Sequence, residues 1–365
     1  MAPAGFWDGY VDLFTIATLR RAASNGRLEA RIHVQIDQLT RKETREGKPF
    51  YEMTVADAEA RLTLRAWSDG PAFPTCAGLH PGSFLEVAGE FFIGTAFGLE
   101  SKRWSCRTLT PEEQQTLLAG PAELRAKQES DFALITECIS QLRDPRLRNL
   151  CTLFLRDFGD RFRRAAAARG NHHARRGGLV EHVAQMMRSA VGVTGAYPSL
   201  NRDLILAGIL FHDAGKLWEN ALPADGFLMP FDERGELLGH ISIGIELVNA
   251  LWRKLCATDP MPLEGATALP VAEDVRLHLL HLIAAHHGEL QFGSPVPPKT
   301  PEAWALHYID NLDAKLEMMF AAYGSAKPIA PRIRERTWPL PGHLVDPLPS
   351  FYEEPAEEEN LPARN

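Results

Sequence analysis

The chain changes its hydrophobic periodicity once, near residue 130, and this change limits the folds that it can adopt. Residues 28–110 alternate apolar and polar side chains, as in the run LEARIHVQID that starts at Leu28. A period of two is typical of strands with one buried face. From residue 131 onward, apolar residues recur at helical spacing instead. The sequence therefore predicts an α+β chain, with a small β-barrel or sandwich domain followed by an all-α domain.

Composition shifts divide the chain further. We predict an entry segment at residues 1–27, a β-domain at 28–110 and a linker at 111–130. A helical domain at 131–325 and an acidic, Pro-rich disordered tail at 326–365 follow. The stretch from Ala257 to Pro270 looks like an insertion between two late helices.

Apolar and charged contents of 45% and 24% are typical of soluble globular proteins. No run approaches the roughly 18 apolar residues of a membrane span, and the N-terminus lacks the pattern of a secretory signal. The five scattered cysteines contain no CxxC motif and fit a reducing cytoplasm. We therefore expect a cytoplasmic protein without a membrane partner.

The net charge of −8 argues at first against a nucleic-acid partner. Its distribution changes this reading. Six acidic residues and one basic residue from Pro341 onward carry −5, so the preceding 340 residues carry only −3. The run RDFGDRFRRAAAARGNHHARR, which starts at Arg156, is densely basic and leads directly into a histidine cluster. Although most charge runs are solvated helix faces, this position favours contact with phosphate.

Histidines are distributed very unevenly. Ten of the thirteen fall between His172 and His307, where a His or an Asp interrupts each of five successive apolar helices. One such histidine is usually a packed core residue. Six or seven buried together need a charge to stabilise them, and divalent cations supply it. The sequence therefore predicts a metal-centred helical bundle.

The stretch AGILFHDAGKLWE places His212 and Asp213 side by side in one of these helices. Adjacent helical side chains point about 100° apart, so one of the two cannot cap the other. Both can contact a group that lies between them, and a divalent cation is suitable for an imidazole and a carboxylate. Lys216 lies one turn further on and is placed to meet a metal-bound phosphate. Taken alone, a His-Asp pair is more often a core histidine beside a capping aspartate.

The order His, His-Asp, distant Asp resembles the HD-domain metal-dependent phosphohydrolases. The phrases NHHARRGGLVEHV, LAGILFHDAGKLWE, GELLGHISIG and AAHHGELQFGSPVPPKTPEAWALHYIDNLDAKL, behind an OB-like domain, resemble the YhaM family more narrowly. That family consists of bacterial 3′–5′ exoribonucleases that join an OB-fold to an HD domain. The resemblance covers about residues 10–325 and excludes the acidic tail.

The resemblance implies a metal site at His182, His212, Asp213 and Asp310, with a second ion at His240 and at one or both of His286 and His287. Asp213 would bridge the two ions and act in catalysis together with Lys216. His172, His173, Arg175 and Arg176 would contact substrate phosphates. The expected cofactor is Mn²⁺, with Fe²⁺, Co²⁺, Zn²⁺ and Mg²⁺ as alternatives.

The predicted OB-like domain offers a groove for single strands, where bases stack on aromatic rings and phosphates meet cations. The candidate side chains are Phe50, Tyr51, Arg65, Trp67, Lys102, Arg103 and Trp104, although most aromatics in a small barrel belong to its core.

We therefore predict a metal-dependent 3′–5′ exonuclease acting on single-stranded RNA or DNA. The alternative is an HD phosphohydrolase for mononucleotides or cyclic dinucleotides with a regulatory OB domain. A third hypothesis is a non-catalytic nucleic-acid binding protein. The chain is compatible with a homo-oligomer, and the sequence leaves the metal, the nucleic acid and the ligating member of the His286–His287 pair open.

Overall fold

The structure, a computed structural model, describes residues 11–24, 26–94, 98–170, 173–258, 270–324 and 326–348. The chain divides into two compact units between Met318 and Met319. The first unit contains a β-sheet region followed by a helical region, as the change of periodicity predicts. None of the described helices combines the length and the apolar character needed to cross a membrane.

The N-terminal sheet is built on one long strand. The elements are β1 (Leu13–Phe14), α1 (Ile16–Ala23), β2 (Leu28–Glu43), β3 (Pro49–Ala56), β4 (Arg61–Trp67), α2 (Phe73–Cys76), β5 (Phe84–Gly94) and β6 (Gly98–Thr108). The strand order is β4-β3-β2-β5-β6, all antiparallel, and β1 pairs with β2 in parallel. The alternating residues Ala30, Ile32, Val34 and Ile36 are fully buried, which confirms the period-two pattern of β2.

The closed barrel of an OB-fold is not confirmed. Strands β4 and β6 form the two edges of the sheet, and no ladder joins them among the described residues. The edges meet instead through a side chain, because the indole Nε1–H of Trp104 donates to the carbonyl oxygen of Arg65 at 3.0 Å. The sheet is therefore a curved, open antiparallel sheet.

The remainder of the first unit is helical. The helices are α3 (Pro111–Ala119), α4 (Ala122–Ser140), α5 (Pro145–Phe162), α6 (Gly178–Ala196), α7 (Arg202–Phe211), α8 (Lys216–Glu219), α9 (Glu233–Thr258), α10 (Ala272–Ala285) and α11 (Pro301–Tyr323), with a 3-10 helix at Leu290–Phe292. The predicted linker contains α3 and the start of α4, which are separated at Gly120 and Pro121. Most of the predicted insertion, residues 259–269, lies outside the described residues.

Helix α7 is the centre of the bundle. Every residue from Leu204 to Phe211 is buried. Phe211 packs edge-on against Phe154 of α5, with ring centroids 5.2 Å apart. Because the apolar run is buried on all sides, the polar residues that follow it are carried directly into the bundle interior.

The sheet and the bundle share a contact within the first unit. The segment between α8 and α9 reaches the sheet, where the backbone N–H of Phe227 donates to Oε1 of Gln35 at 2.6 Å. The Phe227 ring packs in a small apolar cluster with Ala56 and Ala58. The segment is held on the bundle side by Arg169, which donates to the carbonyl oxygens of Met229 and Pro230.

The second unit corrects the prediction of a disordered tail. Composition predicts disorder from residue 326, whereas three short antiparallel strands occur there, β7 (Pro328–Ala330), β8 (Ile333–Arg334) and β9 (Leu344–Val345). An ion pair between Arg334 and Asp346 fastens this sheet. The acidic residues that dominate the composition come later, in residues outside the described range.

Candidate metal centre

The His-Asp pair lies where α7 ends. His212 is the C-cap residue of this helix, and its Nδ1 atom lies 2.8 Å from the carbonyl oxygen of Ile209. This contact fixes Nδ1 as the protonated nitrogen and leaves the Nε2 lone pair directed inward. His212 and Asp213 are 0% and 2% exposed. The sequence thus places an imidazole and a carboxylate in the interior at the end of an apolar helix.

A first group of predicted ligands meets around His182 of α6. Its Nε2 atom lies 3.3 Å from Nε2 of His212, 3.3 Å from Oδ1 of Asp310 and 3.9 Å from Oδ2 of Asp213. These four residues come from α6, the end of α7 and α11. We call them the first subsite: His182, His212, Asp213 and Asp310.

A second group lies on the other side of Asp213. Rings of His240 and His287 have centroids 5.2 Å apart, and those of His286 and His287 are 4.3 Å apart. Nε2 of His240 and Nε2 of His286 each lie 3.6 Å from Oδ1 of Asp213. One nitrogen from each histidine falls within 4.8 Å of the others, close enough for a shared ion. We call His240, His286 and His287 the second subsite.

The two subsites share Asp213, which faces the first through Oδ2 and the second through Oδ1. The bridging role that the resemblance implies for Asp213 stays a prediction, which this position permits. Both members of the His286–His287 pair reach the second subsite, so the geometry favours both as ligands rather than one.

Three buried polar atoms at the second subsite indicate whether a cation fits there. Asp213 Oδ1, His240 Nε2 and His286 Nε2 have no hydrogen-bond partner among the described residues, and all three point into the second subsite. Buried polar atoms without partners cost free energy. A divalent cation would satisfy all three, because imidazole nitrogen and carboxylate oxygen are its usual ligands.

The charge states of these groups also suit metal binding. Burial and nearby His212 lower the pKa of His286, and burial and nearby His240 lower the pKa of His287. Burial opposes ionisation of Asp213, yet Lys216, His212 and His240 outweigh it and hold the pKa of that carboxyl well below its usual range. Neutral imidazoles beside an ionised carboxylate are the forms that bind metal.

The pKa of His182 is shifted in the other direction. Burial lowers it, but Asp310 and Asp313 outweigh burial and raise it to about 9. A cation at the first subsite would replace the proton that this imidazole otherwise holds between the carboxylates. Metal binding at this position should therefore release a proton near neutral pH.

Lys216 is directed at the shared carboxylate. Its Nζ donates to Oδ2 of Asp213 at 2.7 Å, and its side chain is 12% exposed. The cation thus lies at the edge of the centre, between Asp213 and solvent. The predicted contact of Lys216 with a substrate phosphate stays a prediction.

Two carboxylates behind the histidines hold them in place, and neither is among the site residues predicted from the sequence. Asp313 accepts from His182 Nδ1 and His173 Nε2, and Glu219 contacts His240. Glu219 is the last residue of the HDAGKLWE stretch, so its position in that motif was the available signal.

The predicted phosphate-binding cluster is largely engaged inside the protein. His172 lies outside the described residues. His173 is 6% exposed, and its Nε2 lies 3.0 Å from Asp313. Arg175 pairs with Glu181 and Glu317. Arg176 donates to three backbone carbonyls, those of residues 223, 224 and 226. The sequence could not distinguish these structural contacts from phosphate contacts because both use the same donors.

The predicted aromatic surface of the sheet is partly present. Phe50 and Trp67 stand opposite each other on β3 and β4, with ring centroids 4.8 Å apart, and Trp67 is 38% exposed. Tyr51 packs against Phe73 at 5.1 Å. Lys102 and Arg103 are exposed on β6. Trp104 is 1% exposed and belongs to the sheet core, so its prediction as a stacking platform is wrong.

One further group of possible ligands is already neutralised. His33, Glu86 and Glu113 lie close together on the sheet and α3. Arg107 donates to both carboxylates, at 2.9 Å to Glu86 and 2.6 Å to Glu113. A guanidinium therefore occupies the position that a metal would need.

Comparison with protein families agrees with this geometry. Residues 179–315 match the family described as HD domain. The match contains both subsites completely and Lys216 as well. This helical region is therefore similar to HD domains, a family whose members are generally metal-dependent phosphohydrolases.

Proposed function

We propose that this protein is a metal-dependent 3′–5′ exonuclease that hydrolyses single-stranded RNA, with single-stranded DNA as a second substrate. The observation that carries the proposal is the pair of subsites sharing Asp213, joined in one unit to a sheet that exposes aromatic and basic side chains. A phosphohydrolase centre alone needs no such sheet, whereas an enzyme acting on a strand needs a surface that holds it.

The two subsites would hold two divalent cations, of which Mn²⁺ is our first choice. When bound, the cations supply Lewis-acid activation of water and charge stabilisation at the reacting phosphate. Asp213, Asp310 and the histidines would hold them. Lys216 is placed to donate to a non-bridging phosphate oxygen as negative charge develops there.

The sheet supplies the feature that favours a polymer. Phe50 and Trp67 form an aromatic pair on the edge hairpin β3–β4, and the cations Lys102 and Arg103 are exposed on the opposite edge. Every base offers a ring face for stacking and every nucleotide offers a phosphate, so such a surface binds single strands without sequence preference.

The contacts that the residues His173, Arg175 and Arg176 make inside the protein favour the alternative function, a phosphohydrolase for small nucleotides. Because His173, Arg175 and Arg176 bind groups within the protein, fewer cations remain near the centre for a long strand. An HD phosphohydrolase for mononucleotides or cyclic dinucleotides would need fewer. In that case the sheet would have a regulatory role.

The test compares substrates on the same preparation. We expect 5′-labelled single-stranded RNA to shorten stepwise from the 3′ end with Mn²⁺, and to stay intact with a chelator. Asp213→Ala should abolish the reaction, whereas Glu273→Gln, on the exposed first turn of α10, should leave it unchanged. Hydrolysis of mononucleotides or cyclic dinucleotides with intact RNA would establish the alternative. Absence of bound metal by elemental analysis would favour a non-catalytic nucleic-acid binding protein.

Location and assembly belong to the same proposal. The five cysteines are free thiols, which supports a reducing cytoplasmic compartment. A homo-oligomer is compatible with the proposed activity, and sedimentation analysis of the purified protein tests it.

A further inference from the structure

Glu219 contacts His240 at two points. The backbone N–H of His240 donates to Oε1 of Glu219 at 3.0 Å, and the Nδ1 atom of the same histidine lies 3.2 Å from Oε2. One carboxylate therefore holds both the main chain and the ring of a single residue. The contact bridges α8 and the kinked helix α9, which are separated by 13 residues.

The Glu219 carboxylate takes the place that a carbonyl oxygen of the same helix has for His212 and His286. His212 and His286 end helices, and each Nδ1 atom lies 2.8 Å from the carbonyl oxygen three residues earlier, in Ile209 and Ile283. His240 begins a helical segment instead, directly after the kink at Gly239, where φ is 68°. Nδ1 of His240 contacts a side chain of another helix, that of Glu219, instead of a carbonyl oxygen.

This contact determines which nitrogen faces the centre. With Nδ1 directed at a carboxylate, the proton resides there and the Nε2 lone pair is free. Nε2 of His240 is buried, has no hydrogen-bond partner among the described residues, and lies 3.6 Å from Oδ1 of Asp213. Rotation of this ring would remove one of the three histidines from the second subsite.

The surroundings fix Glu219 and His240 relative to the His-Asp turn. Arg169 donates to the carbonyl oxygen of Glu219 at 2.8 Å. Gly215 permits close packing against His240, since a Cβ atom at this glycine would lie 1.9 Å from the His240 carbonyl oxygen. The main chain on both sides of the contact is therefore closely constrained.

We propose that Glu219 is a positioning residue for His240 and that the second subsite depends on it, whereas the first subsite does not. The inference rests on the proposed two-ion centre. Glu219 would touch neither metal nor substrate. It would set the orientation and basicity of a ligand, as carboxylates behind metal-binding histidines do.

The experiment measures Mn²⁺ binding to the full chain, independently of activity. Wild-type protein should bind two ions per chain by calorimetry and elemental analysis, and paramagnetic resonance should show a spin-coupled pair. Glu219→Ala should retain one ion, bind the other about 10- to 100-fold more weakly, and lose the coupled signal at limiting Mn²⁺. Glu219→Gln keeps the side-chain size and one acceptor oxygen. Its affinity for the second Mn²⁺ should therefore lie between those of wild type and Glu219→Ala.

Controls separate this idea from the proposed function. Glu273→Gln should bind both ions like wild type, and circular dichroism should confirm that each variant is folded. If Glu219→Ala and Glu219→Gln both bind two ions with wild-type affinity, the positioning role is overturned while the two-ion centre stands. If wild-type protein binds one ion only, the two-ion centre itself is overturned, and this inference with it.

Discussion

The Nδ1 atom of His182 lies 2.6 Å from Oδ2 of Asp313, and the same oxygen lies 3.0 Å from Nε2 of His173. Asp313 thus joins a predicted metal ligand to a histidine that the sequence assigned to the substrate. Because the contact occupies Nδ1, His182 presents Nε2 to His212 and Asp310. The pair His173–Asp313 is therefore part of the support of the first subsite.

Removal of Asp313 should weaken the first subsite. We expect Asp313→Ala to lower the affinity for Mn²⁺ about 10- to 100-fold, because the His182 ring loses the group that orients it. Asp313→Asn retains an acceptor oxygen and should lose less. Calorimetric titration measures both. Unchanged affinity in Asp313→Ala would show that packing alone orients His182.

Loss of the Lys216 cation should impair turnover more than metal binding. Lys216→Met keeps an unbranched side chain one atom shorter and removes the donor, so we expect kcat to fall about 10²- to 10³-fold, as on loss of one charge-stabilising donor. Mn²⁺ content should stay at the wild-type level, and Lys216→Arg should restore part of the rate. If Lys216→Met loses the metal instead, the lysine supports Asp213 rather than the substrate.

The exposed aromatic pair on the sheet should contribute to strand binding. A stacked base is worth about 1–3 kcal/mol, so Trp67→Ala should weaken binding of single-stranded RNA about 5- to 100-fold. Cleavage of a dinucleotide too short to reach the sheet should be unaffected. Tyr197→Ala, which removes an aromatic side chain that is 64% exposed at the end of α6, is the matched control. Equal effects in the two variants would argue against a specific surface.

Glu181 should make stability dependent on pH in acid. Burial opposes its ionisation, but Arg175, Gln128 and Lys127 outweigh burial and lower the pKa of Glu181 from 4.5 to about 2. Because the folded-state pKa is the lower one, its contribution is complete above pH 4.5 and is lost as pH falls through 2. The contribution at pH 7 is about 3 kcal/mol.

Urea denaturation of the metal-free protein measures this effect. The difference in unfolding free energy between wild type and Glu181→Gln should decrease from about 3 kcal/mol at pH 7 to about 1 kcal/mol at pH 2.5. A difference that does not change between these two pH values would mean that the Glu181 carboxylate is not selectively stabilised in the folded protein.

Much of the centre could be predicted from the sequence because each ligand is marked locally. A His or an Asp that interrupts an apolar helix must face the interior, since its neighbours at helical spacing do. This reasoning predicted a metal-centred bundle, and the resemblance to HD phosphohydrolases then implied His182, His212, Asp213 and Asp310 as ligands. It also identified the second-subsite histidines, although it did not establish that both His286 and His287 reach that subsite.

Residue type was a poor guide where one side chain can serve two purposes. Trp104 alternates with polar residues in β6 and has an aromatic ring, as a base-stacking residue would. Its indole lies in the core because the opposite strand edge supplies a carbonyl acceptor at Arg65. Arg175 similarly carries the donors that bind phosphate, but these donors form ion pairs with Glu181 and Glu317 inside the protein.

The sequence alone determined the order of a β-region and an α-region and the chemical identity of the ligands, because periodicity and residue type are local properties. The tertiary structure alone decided how the candidate ligands are oriented and supported. The contact of Glu219 with His240 and the contact of Asp313 with His182 each join two different helices. Such contacts follow from how the helices pack around α7, and no local pattern in the sequence records that packing.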